Sequence, residues 1–231
     1  MGHLTIVETI LRHRADFFAE IRDQIGLQQK IIAMMISSFV FLAIYGAVMG
    51  ASNSLQQVIS SALKLPVLFL VTLIICSPSL YFFNLLFGSR QTLLQSIALI
   101  LTGMTTTSVL LLSLAPITLF FLTTSSGYQF FKLLNVAVFA IAAVCGVMFL
   151  RQGFQASVDT DNPEGASTRR TLFILWIVLY GFVGTQMAWT LRPFLGAPGE
   201  PFVIVRQTGG NFYTNVIDSA GDLFGPERGG R

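Results

Sequence analysis

The sequence predicts an all-α fold, a polytopic transmembrane helical bundle of about five spans with an amphipathic helix at the N-terminus. Only 11% of its 231 residues are charged, and the mean hydropathy is +0.71. A soluble domain carries roughly 25% charged residues. No carboxylate occurs between residues 24 and 158, and a charge at mid-bilayer costs about 2.5 kcal/mol or more. Lipid is therefore expected to cover most of the chain.

The first predicted part is a polar head, residues 1–30. Between residues 4 and 26, apolar residues such as Val7, Leu11 and Phe18 recur at helical spacing, and most charged residues lie elsewhere. The segment is therefore predicted to be an amphipathic helix. Two interpretations remain open. The helix lies in the membrane interface or binds a partner, or it packs against the membrane domain of its own chain.

The second part is a transmembrane domain, residues 31–191. About 20 apolar residues cross the roughly 30 Å hydrocarbon layer, and runs of this kind predict five spans at 31–50, 66–87, 93–113, 129–150 and 171–191. The apolar stretch 93–122 is longer than one span requires. We therefore expect a break near Pro116, followed by a short segment at 116–122 in the interface. Two spans in this stretch would invert the topology of everything after it.

The distribution of basic residues predicts the orientation of the spans. With a cytoplasmic N-terminus, the cytoplasmic segments hold eight basic residues, whereas the outer loops 51–65 and 114–128 hold only Lys64. This asymmetry obeys the positive-inside rule. The absence of sequons and of an evident signal peptide favours a bacterial inner membrane.

The third part is a Gly- and Pro-rich tail, residues 192–231. It contains a strand-like or amphipathic run at 202–205 and a second apolar patch at 212–217, and residues 225–231 are predicted to be disordered. The net charge of +3 does not predict nucleic-acid binding, because the basic residues are dispersed and do not alternate with aromatic residues.

No catalytic or metal-binding motif is evident. The sequence lacks GxSxG, HExxH, P-loop and GxGxxG patterns. His3 and His13 are not spaced as a metal pair on one helix face, and Cys76 and Cys145 lie inside apolar runs as small hydrophobic residues. The prediction is a protein that is not an enzyme and that has no cofactor and no metal.

Small residues at short helical spacing are the first candidate contact sites. Such residues let helices approach closely inside lipid. They pack helices within one monomer, or they form contacts to another copy or to a partner protein. The candidate helix-packing residues are Gly46, Gly50, Ala142, Gly146, Gly181 and Gly184.

Neutral polar residues inside the spans are the second candidate site. No span holds a carboxylate of the kind that coupled carriers use. A Thr/Ser run can bond to its own helix or to a neighbouring helix, or it can line a path for a neutral solute. The candidate polar pathway consists of Asn84, Thr105, Thr106, Thr107, Ser108 and Asn135.

The chain has a polar head, about five closely spaced spans and a terminus on the far side. This layout resembles that of a known family. A short Gly-bearing turn between spans occupies residues 86–93, and a small-Pro element follows at 113–116. In these features residues 60–150 resemble the Yip1-like membrane proteins. The acidic-Tyr-Gly-Pro signature of that family is not found in the head. The resemblance implies a non-enzymatic scaffold or a factor in membrane organisation.

Together these observations predict a non-catalytic protein that acts as a scaffold, accessory subunit or membrane-organisation factor. Its expected partners are the lipid bilayer and other membrane proteins or further copies of itself, and not nucleic acid. The alternative is a small channel or permease subunit for a neutral solute, with its path along the polar residues of the spans.

Overall fold

The computed structural model describes residues 3–86, 91–124, 127–156, 166–195, 203 and 212–224. Within these ranges the chain is helical and contains no strand. The helices are α1 (His3–Arg12), α2 (Arg14–Arg22), α3 (Leu27–Gly50), α4 (Leu55–Leu86), α5 (Leu93–Thr124), α6 (Tyr128–Phe154), α7 (Ala166–Thr190) and α8 (Phe212–Phe224). Helices α3 to α7 are long and apolar enough to cross a membrane. The protein is a multi-pass helical membrane protein.

The third span differs from its prediction. Helix α5 continues through Pro116 to Thr124 as one helix, so the expected break near Pro116 and the separate segment at 116–122 are wrong. A break there would leave backbone groups unbonded in lipid, which cannot satisfy them. Ala115 and Thr118, on either side of the proline, are buried against the rest of the bundle. Because the stretch forms one span and not two, the topology after it is not inverted.

Helices α4 and α5 also take in most of the predicted outer loops. Residues 55–65 belong to α4 and residues 114–124 belong to α5. At 1.5 Å per residue, a 32-residue helix is about 48 Å long. Both helices therefore extend well beyond the hydrocarbon layer, and the connections between α3 and α4 and between α5 and α6 are short.

The bundle is organised around α3, which packs against both α4 and α5. Helix α6 packs on α5, and α7 packs on α4. Met34, Leu42 and Tyr45 of α3 meet Leu99 and Leu111 of α5 in the fully buried core. Burial is greatest in α5: 67% of its apolar window is buried inside the chain, compared with 39% for α3 and 11% for α7.

The head forms two short helices instead of the single amphipathic helix predicted for residues 4–26. The backbone of His13 leaves the helical region between α1 and α2, and the chain turns into α3 through Gln24 and Gly26, which both have positive φ. Five apolar side chains of the head are buried against the bundle, whereas Leu11 and Ile25 are exposed. The five buried residues are Ile6, Ile10, Phe17, Phe18 and Ile21. Of the two interpretations left open, the structure places the head against its own membrane domain.

The head and α8 lie at opposite ends of the bundle. Phe18 of the head lies against Gly153 at the end of α6. Helix α8 contacts the start of α6, where Lys132 donates a hydrogen bond to Ser219. The predicted apolar patch at 212–217 thus forms the first half of α8. The strand-like run 202–205 lies outside the described residues except for Val203, and residues 225–231 lie outside them entirely.

Candidate functional site

Gly46 and Gly50 lie at the contact between α3 and α4. A Cβ atom at position 46 would lie 2.4 Å from the carbonyl oxygen of Ser61, and one at position 50 would lie 2.5 Å from that of Gln57. No side chain fits at those distances, so glycine allows the two backbones to touch. This pair of small residues contacts the same chain.

Ala142 and Gly146 lie at the contact between α6 and α5. A Cβ at position 146 would lie 2.0 Å from Thr107 Oγ1 and 2.8 Å from the carbonyl oxygen of Gly103. Ala142 is fully buried. The hydroxyl of Thr107 donates to Gly103 at 2.9 Å and lies 3.4 Å from the carbonyl oxygen of Ala142. The glycine of α6 therefore makes room for the threonine of α5.

Gly181 and Gly184 on α7 are different. A Cβ at position 181 would meet no atom within 4 Å, and one at position 184 would meet only Thr72, at 3.8 Å. Among the residues that the structure describes, this third pair does not form a close helix contact.

The Thr/Ser run of α5 is buried, and its hydroxyl groups bond mainly to their own helix. Thr105, Thr106 and Thr107 each donate to the carbonyl oxygen four residues earlier, at 2.8–2.9 Å, and Ser108 donates to that of Thr105 at 2.8 Å. Thr105 also shares a 3.0 Å hydrogen bond with Ser38 of α3. The hydroxyl groups of this run thus donate mainly to backbone carbonyl groups of α5 itself.

Asn135 belongs to a second, separate polar layer. Its side-chain oxygen accepts a 3.0 Å hydrogen bond from the hydroxyl of Tyr45, and its amide donates to Phe131 at 2.8 Å. Tyr45 lies seven residues beyond Ser38 on α3, about 10 Å along the helix. Asn84 is part of α4, but its side chain lies outside the described residues. Among the predicted pathway residues whose side chains the structure describes, Asn135 is therefore separate from the run of residues 105–108.

Two polar contacts that the sequence analysis missed fix the head. Gln95 at the start of α5 donates to the carbonyl oxygens of Arg22, at 2.7 Å, and Ile21, at 3.3 Å. Both carbonyls lie at the C-terminal end of α2, where a helix leaves its last carbonyl groups unpaired; that of Ile21 also accepts from the backbone N–H of Gln24 at 3.2 Å. The ammonium group of Lys30, whose side chain is 4% exposed, forms a 2.9 Å ion pair with Glu20. In the sequence, an isolated glutamine and an isolated lysine at the edges of apolar runs could have indicated these contacts.

A third missed contact ties the segment after α7 to α4. Gln57 donates to the carbonyl oxygen of Pro193 at 2.9 Å, and Ser61 donates to that of Phe194 at 2.7 Å. Lys64 lies 3.3 Å from the same Pro193 oxygen. The three side chains follow one face of α4 at spacings of four and three residues. That polar stripe in an otherwise apolar helix could have indicated a buried contact.

The outward face of α7 carries large apolar side chains and one amide. Val178 and Phe182 are 65% and 53% exposed, and Leu179 is also exposed. Gln186 follows on the same side of the helix, and its side chain forms no hydrogen bond within the described part of the chain. Gln186 is half-buried, and side-chain amides of membrane helices commonly bond across helix contacts.

The described residues contain no cluster of three or more His, Cys, Asp or Glu side chains placed to hold a metal ion. Neither the histidine of the head that the structure describes in full, His13, nor the two cysteines belong to such a group. Comparison of the chain with protein-family models, with curated proteins and with solved structures finds no match.

Proposed function

We propose that this protein is a non-catalytic scaffold or accessory subunit that binds another membrane protein, or a second copy of itself, through the outward face of α7. Val178, Leu179, Phe182 and Gln186 form this face, which we call the α7 face. The resemblance to Yip1-like membrane proteins supports a role in membrane organisation. The α7 face combines apolar area with an amide suited to a bond across helices.

The observation that carries the proposal is the unequal use of polar groups among the spans. The polar side chains of α3, α5 and α6, such as Ser38, Thr105 and Asn135, bond within the bundle. Gln186 on α7 does not, within the residues described. The same observation weighs against the alternative, a channel or permease subunit for a neutral solute, because the groups that would line its path are bonded to one another or to backbone carbonyls.

Purification in a mild detergent tests the proposal. The protein mass by light scattering is expected to exceed the 25.3 kDa of one chain. Gln186→Leu should weaken the association about threefold or more through loss of an interhelical hydrogen bond. Val178→Trp should disrupt it by altering the shape of the α7 face. Ile141→Trp, on the exposed side of α6, is the matched control and should leave the mass unchanged.

A lone 25.3 kDa chain without a co-purifying protein would contradict the proposal. The proposal would also be contradicted if Val178→Trp and Ile141→Trp had the same effect on the protein mass. Solute flux into liposomes addresses the alternative: flux through the purified protein that Thr106→Val and Asn135→Leu both abolish would replace the scaffold by a channel.

We also propose a bacterial inner membrane with the head in the cytoplasm, on the basis of the positive-inside distribution. In a background of Cys76→Ala and Cys145→Ala, an impermeant thiol reagent added to intact cells should label Asn53→Cys, in the turn between α3 and α4. It should label Asp16→Cys, in the head, only after permeabilisation. Both positions are exposed. The reverse pattern would invert the proposed orientation.

A further inference from the structure

We propose that the cleft between α6 and α7 holds one acyl chain of an anionic phospholipid, whose phosphate binds Arg151 and Arg170. The inference is separate from the partner contact proposed above, because it concerns a different side of α7. It depends on the membrane location of the bundle and not on which side the head faces.

The cleft is bridged at both ends by contacts within the chain. At the head end, the rings of Phe154 on α6 and Phe173 on α7 lie 4.9 Å apart. At the other end, α8 contacts both helices, and the hydroxyl of its Tyr213 shares a 3.0 Å hydrogen bond with Thr185 of α7. Between these bridges α6 and α7 do not pack along each other within the described residues.

Helix α4 forms the floor of the cleft. Its Phe69 stacks on Phe139 of α6 with ring centroids 6.5 Å apart. Trp176 of α7 donates a 2.9 Å hydrogen bond to the carbonyl oxygen of Cys76 on α4. The cleft is thus a groove that is closed at the back and at both ends and is open towards lipid along one side.

The length of the groove selects its occupant. Thr185 lies twelve residues beyond Phe173 on α7, which corresponds to about 18 Å at 1.5 Å per residue. The hydrocarbon of one leaflet is about 15 Å deep, half of the roughly 30 Å layer that a transmembrane helix must cross. The groove therefore accommodates an acyl chain of one leaflet, whereas a spanning helix of a second copy is too long to enter it.

Each of the two helices carries an apolar stripe that ends in an arginine near the head end, and on α6 this stripe lies on the exposed side of the helix. On α7 the stripe leads from Arg170 through Ile174 and Ile177 to Gly181, and on α6 it leads from Arg151 back through Val147, Val144 and Ala140. The spacing of four, three and four residues places each set on one helix face. Thr185 continues the α7 stripe and contacts α8. This face of α7 therefore points towards α8, which contacts both α6 and α7. A Cβ atom at Gly181, which lies on this stripe, would meet no atom within 4 Å.

The two arginines supply the charge that a lipid phosphate requires. Both are exposed, and neither pairs with a carboxylate among the residues described. A guanidinium group binds phosphate through paired N–H donors. Basic groups between transmembrane helices at the headgroup level are suited to anionic lipids. The mouth of the groove therefore favours a lipid with net negative charge over a zwitterionic one.

Tryptophan fluorescence measures this binding directly, since the chain has two tryptophans and Trp176 lies at the height of the groove. In a Trp189→Phe background, the full-length protein is reconstituted into phosphatidylcholine vesicles with increasing fractions of brominated phosphatidylglycerol or brominated phosphatidylcholine. Half-maximal quenching of Trp176 is expected at a roughly fivefold lower fraction of the glycerol lipid. Arg151→Gln combined with Arg170→Gln should remove this preference, whereas Arg12→Gln on the exposed side of α1 should retain it.

Filling the groove gives a second, independent readout. Gly181→Leu should lower quenching at low lipid fractions for both headgroups, and Gly181→Ala should do so to a smaller extent. Leu175→Phe, which also adds bulk on the outward side of the same helix but lies outside the α7 face, should not. Circular dichroism confirms that each variant is folded. Equal quenching by the two lipids in the parent protein, or an undiminished preference in the double arginine variant, would overturn the proposal.

Discussion

Replacing Gly46 with alanine is expected to destabilise the protein by about 2 kcal/mol, within the range of 1–3 kcal/mol that overpacking costs. The added methyl group would lie 2.4 Å from the carbonyl oxygen of Ser61 and 3.1 Å from the Cα atom of Ala62. Both are backbone atoms, so no side-chain rotation relieves the clash, and α3 must separate from α4. The unfolding midpoint in a denaturing detergent titration gives the size of the loss.

Gly181→Ala is the matched control, because its added methyl group meets no atom within 4 Å. Its midpoint should be unchanged or slightly higher, since alanine favours the helix over glycine. Gly46→Val should exceed Gly46→Ala. If Gly46→Ala and Gly181→Ala unfold alike, the close approach of α3 and α4 is not present in the membrane.

Phe18→Ala is expected to release the head from the bundle. Phe18 is 3% exposed, and its ring lies against Gly153, where a Cβ would approach it to 2.6 Å. Truncating a buried phenylalanine costs about 3–5 kcal/mol, and each 1.4 kcal/mol changes an equilibrium tenfold. Tryptic cleavage after Arg12 and Arg14 in the folded protein should therefore become about 100-fold faster.

Leu11→Ala is the control for the head. Leu11 belongs to α1 of the same head but is 44% exposed, so its truncation should leave the cleavage rate nearly unchanged. Hydrogen exchange should show the loss of protection confined to α1 and α2, with α3 to α6 retained. An unchanged cleavage rate in Phe18→Ala would mean that the contact of Phe18 with Gly153 does not hold the head.

The number of spans was predictable from the sequence, because burial in lipid requires long runs without charge. The ends of the helices were less predictable. A proline such as Pro116 breaks helices in water but is retained in a bundle where lipid offers its backbone no alternative partner. The break at His13 had no proline or glycine to indicate it. Both helices of the head, α1 and α2, pack onto α5, and α1 also packs onto α3. The chain bends at His13 between them.

The candidate sites, like the helices, were predictable from the sequence only in part. The spacing of Gly46 and Gly50 indicated a close helix contact, but it could not name α4 as the partner. The buried hydroxyl groups of Thr105 and Thr106 were visible in the sequence, whereas their hydrogen bonds depend on rotamers. Gln57 and Ser61 were predicted to lie in the loop 51–65. Their hydrogen bonds could not be predicted, because the carbonyl groups of Pro193 and Phe194 lie more than 130 residues away in the sequence.

The attachment of the segment after α7 to α4 has a consequence for assembly. Helix α7 is synthesised after α3 to α6, and its main partner, α4, begins at Leu55. The core of α3, α5 and α6 does not require α7, so these helices can associate while the ribosome still holds the chain. Gln57 and Ser61 can bond to residues 193 and 194 only after α7 has been synthesised, and α8 can pack on α6 and α7 only after that.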